Sequence, residues 1–253
     1  MKLRRLNTKT YAKEFRKQQD YWIPVIYRMV KSELNAQLLY VNKVLLDTKS
    51  IGLTIARIDK NTITVDTVKL LNDIHAKVGM GINTWLKKYI DYEQKAVDIE
   101  FLNSYFDGLI YQLSQRGSQI ADTSINSLTN ILHKAAEEGL SISATSRLLK
   151  SEFNRLSTTR ATRIARTEVI SASNRGSVKT VEGLGNEFDI EFKKVWLATG
   201  GGRTRSSHSA ASGQTVNMNE NFNVNGESLE YPGDVNGSAG NIINCRCTTI
   251  YDS

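Results

Sequence analysis

The chain has 253 residues, 40% of them hydrophobic and 23% charged, with a formal net charge of +7. That length carries one or two domains with a sizeable core, and that composition excludes a wholly disordered chain. No stretch reaches the roughly 18 apolar residues of a membrane-spanning helix, and no apolar run follows the basic start MKLRRLNTKTYAKEFRKQQ, so neither a spanning segment nor a cleaved secretory signal is expected. Two cysteines, Cys245 and Cys247, one residue apart, make a poor framework disulfide and fit a reducing compartment.

The charge is uneven. Residues 1–60 carry a net +8 and residues 151–180 a net +4, whereas 61–150 carry −1 and 181–253 carry −4. A basic N-terminal arm holds phosphate backbones by counterion release without reading sequence, which makes Lys2, Arg4, Arg5, Lys9, Lys13, Arg16 and Lys17 candidate DNA-binding residues. The same residues, interrupted by Glu14 and Asp20, also read as a solvated helix face.

From Thr10 to about Leu46, Phe15, Trp22, Ile26, Val30, Leu34, Leu38, Val41 and Leu45 recur at helical spacing, with Pro24 expected to break or start a helix. The Thr-rich IDKNTITVDT reads as a loop or brief extended piece, and Asp66 as the N-cap of the next helix. Further helical segments are expected over roughly 66–91, 93–116, 118–138 and 142–154, with turns at Gly117 and Gly139. A helix from about Thr158 to Glu182 mixes four arginines with small residues that let another backbone approach closely. Beyond it, EFKKVWLAT alternates as a strand and ends at Gly200, Gly201 and Gly202, while SLEYPGD reads as strand and turn and NCRCTTIY as a second strand. Ten of the 17 glycines follow residue 180, marking a loop-rich part. The expected fold class is α+β: a basic, mainly helical region, 1–154, followed by a small α+β domain, 155–253.

The ordered pieces ATRIARTEVISASNRG, KKVWLAT, RTRSSHSAASGQTV, FNVNGESLEYPGD and AGNIINCRC resemble the phage Mu F-like head morphogenesis, or minor capsid, proteins over about residues 155–251. The resemblance implies a phage or prophage minor head protein associated with the portal, with other capsid or scaffold proteins and packaged double-stranded DNA as further partners. It implies residence in the virion, inside the head near the portal, and in the host cytoplasm during assembly. On it, Arg163, Arg166, Glu168, Trp196, Arg203, Arg205, His208, Pro232, Asn244, Cys245, Arg246 and Cys247 are carried as structural motif residues. Family members commonly place an acidic residue shortly before the Arg-Thr-Arg, where this chain has Gly200–Gly202, so a role needing that carboxylate is not carried over.

Arg163 and Arg166 share a helix face and Glu168 points elsewhere, a set suited to ion pairs that lock the helix to the sheet. A nucleotide-dependent transferase would want an ordered Arg, Ser-x-Ser and Glu-x-Glu, which this chain lacks. On a strand, Cys245 and Cys247 point to one face and Arg246 to the other, so the thiols could converge with His208. Some relatives carry further cysteines near the Arg-Thr-Arg, resembling a zinc knuckle, but structural zinc takes four ligands and three are offered, with Asp234, a neighbouring chain or water left to supply a fourth. Buried thiols without metal are expected, and no cofactor. His75 and His133 show no partner spacing. The three glycines neither open a helix nor precede a Lys-Ser/Thr pair, and Ser206, Ser207 and His208 lack a strained nucleophile turn. The reading is a binding and assembly protein without catalysis. The alternatives are an ADP-ribosyltransferase-like or toxin-associated enzyme, disfavoured because only TTIYDS follows the CRC, and a plain nucleic-acid-binding module.

Overall fold

The computed structural model describes residues 6–92, 99–202 and 204–252. It is α+β, with a long helical N-terminal region and a small C-terminal sheet region. Lys2, Arg4, Arg5 and Arg203 lie outside the described residues. The helices are α1 (Lys9–Thr48), α2 (Ile51–Arg57), α3 (Lys60–Tyr89), α4 (Ile99–Phe106), α5 (Leu109–Glu137) and α6 (Ile142–Phe188), followed by β1 (Lys193–Leu197), α7 (Ser206–Ala211), β2 (Thr215–Asn217), β3 (Phe222–Val224), β4 (Glu227–Leu229), α8 (Ala239–Ile242) and β5 (Thr248–Asp252). Among the described residues, no helix is long and apolar enough to cross a membrane.

Several boundaries differ from the sequence expectation. Pro24 lies inside α1, on its exposed side, while Phe15, Ile26, Val30, Leu34, Leu38, Val41 and Leu45 are all buried. A continuous apolar stripe on both sides of the proline outweighs the one backbone hydrogen bond it removes. Most of IDKNTITVDT is helical: α3 starts at Lys60, and Asp59, not Asp66, accepts the Asn61 N–H (2.9 Å) and the Thr62 hydroxyl (2.7 Å) at its start. Gly117 makes no turn. It sits within α5, where a Cβ would lie 2.6 Å from Val68 Cγ2, so the glycine serves a close approach. Gly139 does turn the chain, at φ 62°. The two segments expected over 142–154 and 158–182 are one helix of 47 residues.

The chain forms two compact units that cut across the 1–154 and 155–253 division. The first comprises the described residues of Met1–Ile26, Asp73–Gln112 and Ala165–Ser253; the second, those of Tyr27–Asn72 and Leu113–Ile164. The second unit is all helical around Leu34, Leu38, Leu71, Leu113, Leu128, Leu132 and Phe153. Its polar ties include Gln37 to Thr67 (3.1 Å), Ser146 to Asn42 (2.7 Å) and the Arg160 guanidinium to Ser124 and the Ile120 carbonyl (both 3.2 Å).

In the first unit, Gly176 of α6 meets Gly79 of α3, where a Cβ on Gly176 would stand 3.1 Å from the Gly79 carbonyl oxygen. This is the close backbone approach that the small residues of ISASNRG allow. Strand β1 pairs antiparallel with both β2 and β5, Trp196 facing Thr249 and Lys194 facing Tyr251 in the β5 register. The predicted alternation holds: Phe192, Lys194 and Trp196 are buried, Glu191 and Lys193 exposed. Strands β3 and β4 form a hairpin whose Asn225 and Gly226 both have positive φ (57° and 83°), the geometry a tight two-residue turn requires. A core of Ile170, Trp196, Ala211, Phe222, Val224, Leu229, Cys245 and Cys247 lies between these strands and α6.

Candidate functional site

Within the first unit, α6 presents a buried polar face, and Asn174 is its hub. The two hydrogens of the Asn174 amide nitrogen are shared among the carbonyls of Ile170 (3.0 Å), Pro232 (3.0 Å) and Cys247 (3.1 Å), while its oxygen accepts the Thr249 N–H (3.1 Å). One side chain thus ties the helix to the YPGD turn and to the entry of β5. Gly233, at φ 84°, lets that turn approach α6, since a Cβ there would lie 3.2 Å from the Ser171 nitrogen. Asp234 closes the turn by accepting the N–H groups of Glu230 (2.7 Å) and Asn236 (3.0 Å), and burial pushes its carboxyl above the usual range. The next residue of α6, Arg175, donates to the carbonyls of Tyr105 and Asp107 (both 2.7 Å) and meets Glu230 at 3.4 Å.

Glu168 points away from the exposed Arg163, as its spacing predicts, and is buried against His75: the His75 Nε2 and the Glu168 carboxylate are 3.3 Å apart, and the His75 Nδ1 and Tyr105 hydroxyl 3.0 Å. His75 therefore has partners that no local spacing announced. His133 is exposed.

Cys245 and Cys247 precede β5 rather than lying in it, because Asn244 turns the chain at φ 56°, a conformation asparagine tolerates. Asn244 is held there by its N–H to the Thr167 hydroxyl (3.1 Å) and by the Arg166 guanidinium on its side-chain oxygen (3.2 Å). Both thiols still face His208, whose Nδ1 is 3.3 Å from Cys247 Sγ and 3.7 Å from Cys245 Sγ. All three residues are at most 2% exposed. Trp196 packs edge-on against the His208 ring, with centroids 5.6 Å apart. The Cys247 thiol is pushed down to about 5, first by the hydrogen bond from Cys245 and then, against burial, by His208 and the Trp196 indole; that hydrogen bond and burial push Cys245 up.

These groups floor a cleft of about 550 Å³ whose walls include Arg166, Arg205, Arg246, Thr199, Thr204 and Gly200–Gly202. The Arg205 guanidinium donates to the Ile243 carbonyl, and Arg246 is exposed. A neighbouring cleft of about 360 Å³ is also lined by Arg166, Arg246 and Thr199, together with Arg16, Gln19 and Asp20 of α1. The structure thus brings Arg16, placed by sequence in the N-terminal arm, to arginines of the C-terminal motif. Lys9, Lys13 and Lys17, four apart on α1, are exposed, and Lys17 pairs with Glu14 at 2.7 Å. Arg163 belongs to the second unit and does not line these clefts.

No motif or spacing in the sequence marks Asn174, Arg175 or His75 as site-forming. A signal for the first two was present: over ISASNRGSVKT the polar residues leave no solvent-facing stripe, and a helix polar on all sides within a folded unit must satisfy those groups internally.

Residues 126–250 match the family model described as Phage Mu protein F like protein, a match that begins in α5, earlier than the motifs starting near residue 155. Over 141 residues, 55% of this chain, the sequence is 36% identical to a protein of Enterococcus faecalis (strain ATCC 700802 / V583) named NAD(+)--arginine ADP-ribosyltransferase EFV. The chain spans 28% of that relative's length. No solved structure matches the chain.

Proposed function

Because the chain belongs, through residues 126–250, to the Phage Mu F-like family of head morphogenesis proteins, we propose that it is a minor head protein that binds the portal and packaged double-stranded DNA during head assembly or DNA delivery. The observation that carries the DNA part is the pair of adjoining clefts sharing Arg166 and Arg246, joined by Arg16 on one side and Arg205 on the other. Guanidinium groups on a concave edge suit phosphate oxygens, and the exposed Lys9 and Lys13 extend the positive surface along α1. The remaining surface is left for the portal and other head proteins, with the protein inside the head near the portal. Action by binding rather than catalysis is part of this proposal.

Deleting the N-terminal arm would remove Tyr11 and Phe15, both fully buried, so charge substitution is the sharper test. The full chain should bind duplex DNA of any sequence with steep salt dependence. Replacing Lys9 and Lys13 together by alanine should reduce the slope of log K against log salt by about 1.8, at about 0.9 per phosphate contact. An unchanged slope removes the α1 surface from the interface, and the absence of binding at low salt overturns DNA contact. Portal association is tested by proteomics of purified procapsids and virions, where peptides of this chain should appear.

The name of the Enterococcus faecalis relative favours a second reading, an ADP-ribosyltransferase-like or toxin-associated enzyme. Incubation with labelled NAD and an arginine-rich acceptor separates the two: transfer of label to the acceptor replaces the binding reading with the enzymatic one.

A further inference from the structure

The cluster of His208, Cys245 and Cys247 has a geometry that two buried thiols and an imidazole do not need for packing alone. Their donor atoms all lie within 4.8 Å of one another. For a tetrahedral zinc ion with bonds of about 2.3 Å to sulfur and about 2.0 Å to nitrogen, a sulfur and a nitrogen ligand stand about 3.5 Å apart. The two sulfur-to-Nδ1 distances, 3.3 and 3.7 Å, lie on either side of that value.

We propose that His208 Nδ1, Cys245 Sγ and Cys247 Sγ bind one zinc ion, with its fourth coordination position facing the arginine-lined cleft. Imidazole and two thiolates form a borderline-soft set that selects zinc over magnesium or calcium. The supports are rigid: Asn174 holds the Cys247 carbonyl, Asn244 turns the chain just ahead of Cys245, and Trp196 packs against the His208 ring. The Cys247 N–H donates to Cys245 Sγ at 3.4 Å, the kind of backbone contact that orients a thiolate ligand. No further His, Cys, Asp or Glu joins the group among the described residues. Asp234 is not the fourth ligand, since its two carboxylate oxygens are spent on the N–H groups of Glu230 and Asn236. All three ligands line the cleft, so the remaining position is filled from there by water or by an anionic oxygen, which Arg166, Arg205 and Arg246 would attract. The expectation of buried thiols without metal rests on the four-ligand count of structural zinc; the site proposed is instead the three-ligand kind that keeps one position open to water or another oxygen.

The test uses the full chain, purified under reducing conditions and dialysed without chelator. Elemental analysis should find close to one equivalent of zinc. After removal of zinc, cobalt(II) should bind with the same stoichiometry and give thiolate-to-cobalt charge-transfer bands together with the intense visible bands of a tetrahedral site. Cys245→Ser and His208→Asn should each weaken zinc binding by more than about a hundredfold, beyond what a change in the surrounding shell produces. Because either variant can fail to fold, the wild-type titration decides: a chain shown folded by circular dichroism that holds no zinc and gives no cobalt bands overturns the site. Adding inorganic phosphate or azide should shift the visible bands, and bands indifferent to both overturn the open fourth position.

Discussion

Glu168 and His75 are buried at 1% and 0% exposure on different helices, and each is a polar partner of the other. Removing the Glu168 carboxylate takes one buried hydrogen-bond partner from His75, which keeps the Tyr105 hydroxyl at 3.0 Å. Glu168→Ala should therefore cost about 1 to 3 kcal/mol in urea unfolding. Glu168→Gln, which preserves shape and one acceptor, should cost less, and equal losses for the two variants would show that packing alone is at stake. At this scale the sequence is half legible. The spacing of Arg163, Arg166 and Glu168 correctly separates an exposed arginine from an inward glutamate, because helical geometry is local. The partner of Glu168 lies 93 residues earlier, and no local pattern can carry that information. Likewise the sequence allows Cys245, Cys247 and His208 to converge, but the means is not a strand face. It is the left-handed turn at Asn244, a backbone choice invisible in residue types alone.

Among the elements, α6 depends most on what it omits. Gly176 sits where a Cβ would stand 3.1 Å from the Gly79 carbonyl oxygen and 3.2 Å from the Gly79 Cα, so a side chain there has only backbone to displace. Gly176→Val should destabilise the protein by about 1 to 3 kcal/mol through overpacking, despite valine's better helix propensity, and thermal unfolding reads the difference. Gly183, with nothing within 4 Å of its Cβ position, is the control: Gly183→Ala should be neutral or mildly stabilising. The same contrast separates helix-breaking residues that a helix tolerates from those that end it. Gly117 and Pro24 sit inside helices because one permits contact with Val68 and the other faces outward, whereas Gly139 has the positive φ of a true turn. Helical periodicity identified the stripe of α1 but could not say whether a breaker residue is tolerated, since that depends on the packing around it.

For the molecule as a whole, the buried Lys194 sets a pH dependence. Burial pushes its ammonium from the ordinary 10.5 down to about 8, opposed by Glu230, while Lys179 adds to the depression and Glu182 and Asp234 oppose it. Between about 8 and 10.5 the unfolded chain holds this proton and the folded chain does not, so raising the pH through that window favours folding. Below about 8 both states are protonated, and the folded one carries the full cost of the buried charge. The buried hydroxyls of Tyr11, Tyr105, Tyr231 and Tyr251 act oppositely: burial raises all four, so above pH 10 the unfolded chain loses protons the folded chain keeps. Subtracting the profile of Lys194→Met from that of the wild type isolates the lysine. The difference in unfolding free energy, wild type minus variant, should rise between about pH 8 and 10.5, and a flat difference would mean that Lys194 keeps its ordinary acidity when folded. The alternation of EFKKVWLAT marked Lys194 as facing the same side as Phe192 and Trp196, so this feature was legible once the strand was read literally.

The hydroxyl relay from Tyr11 through Ser177 to Tyr251, at 3.0 and 2.8 Å, has a consequence for how the protein is made. Its members come from the beginning, middle and end of the chain, so a ribosome releases Tyr11 long before it has synthesised Tyr251. At about 5 to 20 residues per second, the wait is roughly ten to fifty seconds. During that interval Tyr11 and Phe15, fully buried in the finished molecule, have no completed pocket to enter. The residues of the helical second unit, 27–164, are all synthesised before β5, whereas the first unit draws on both Tyr11 and β5 and is complete only when that strand emerges. Until β5 is made, the aromatic side chains that Tyr251 packs against stay without one wall of their pocket.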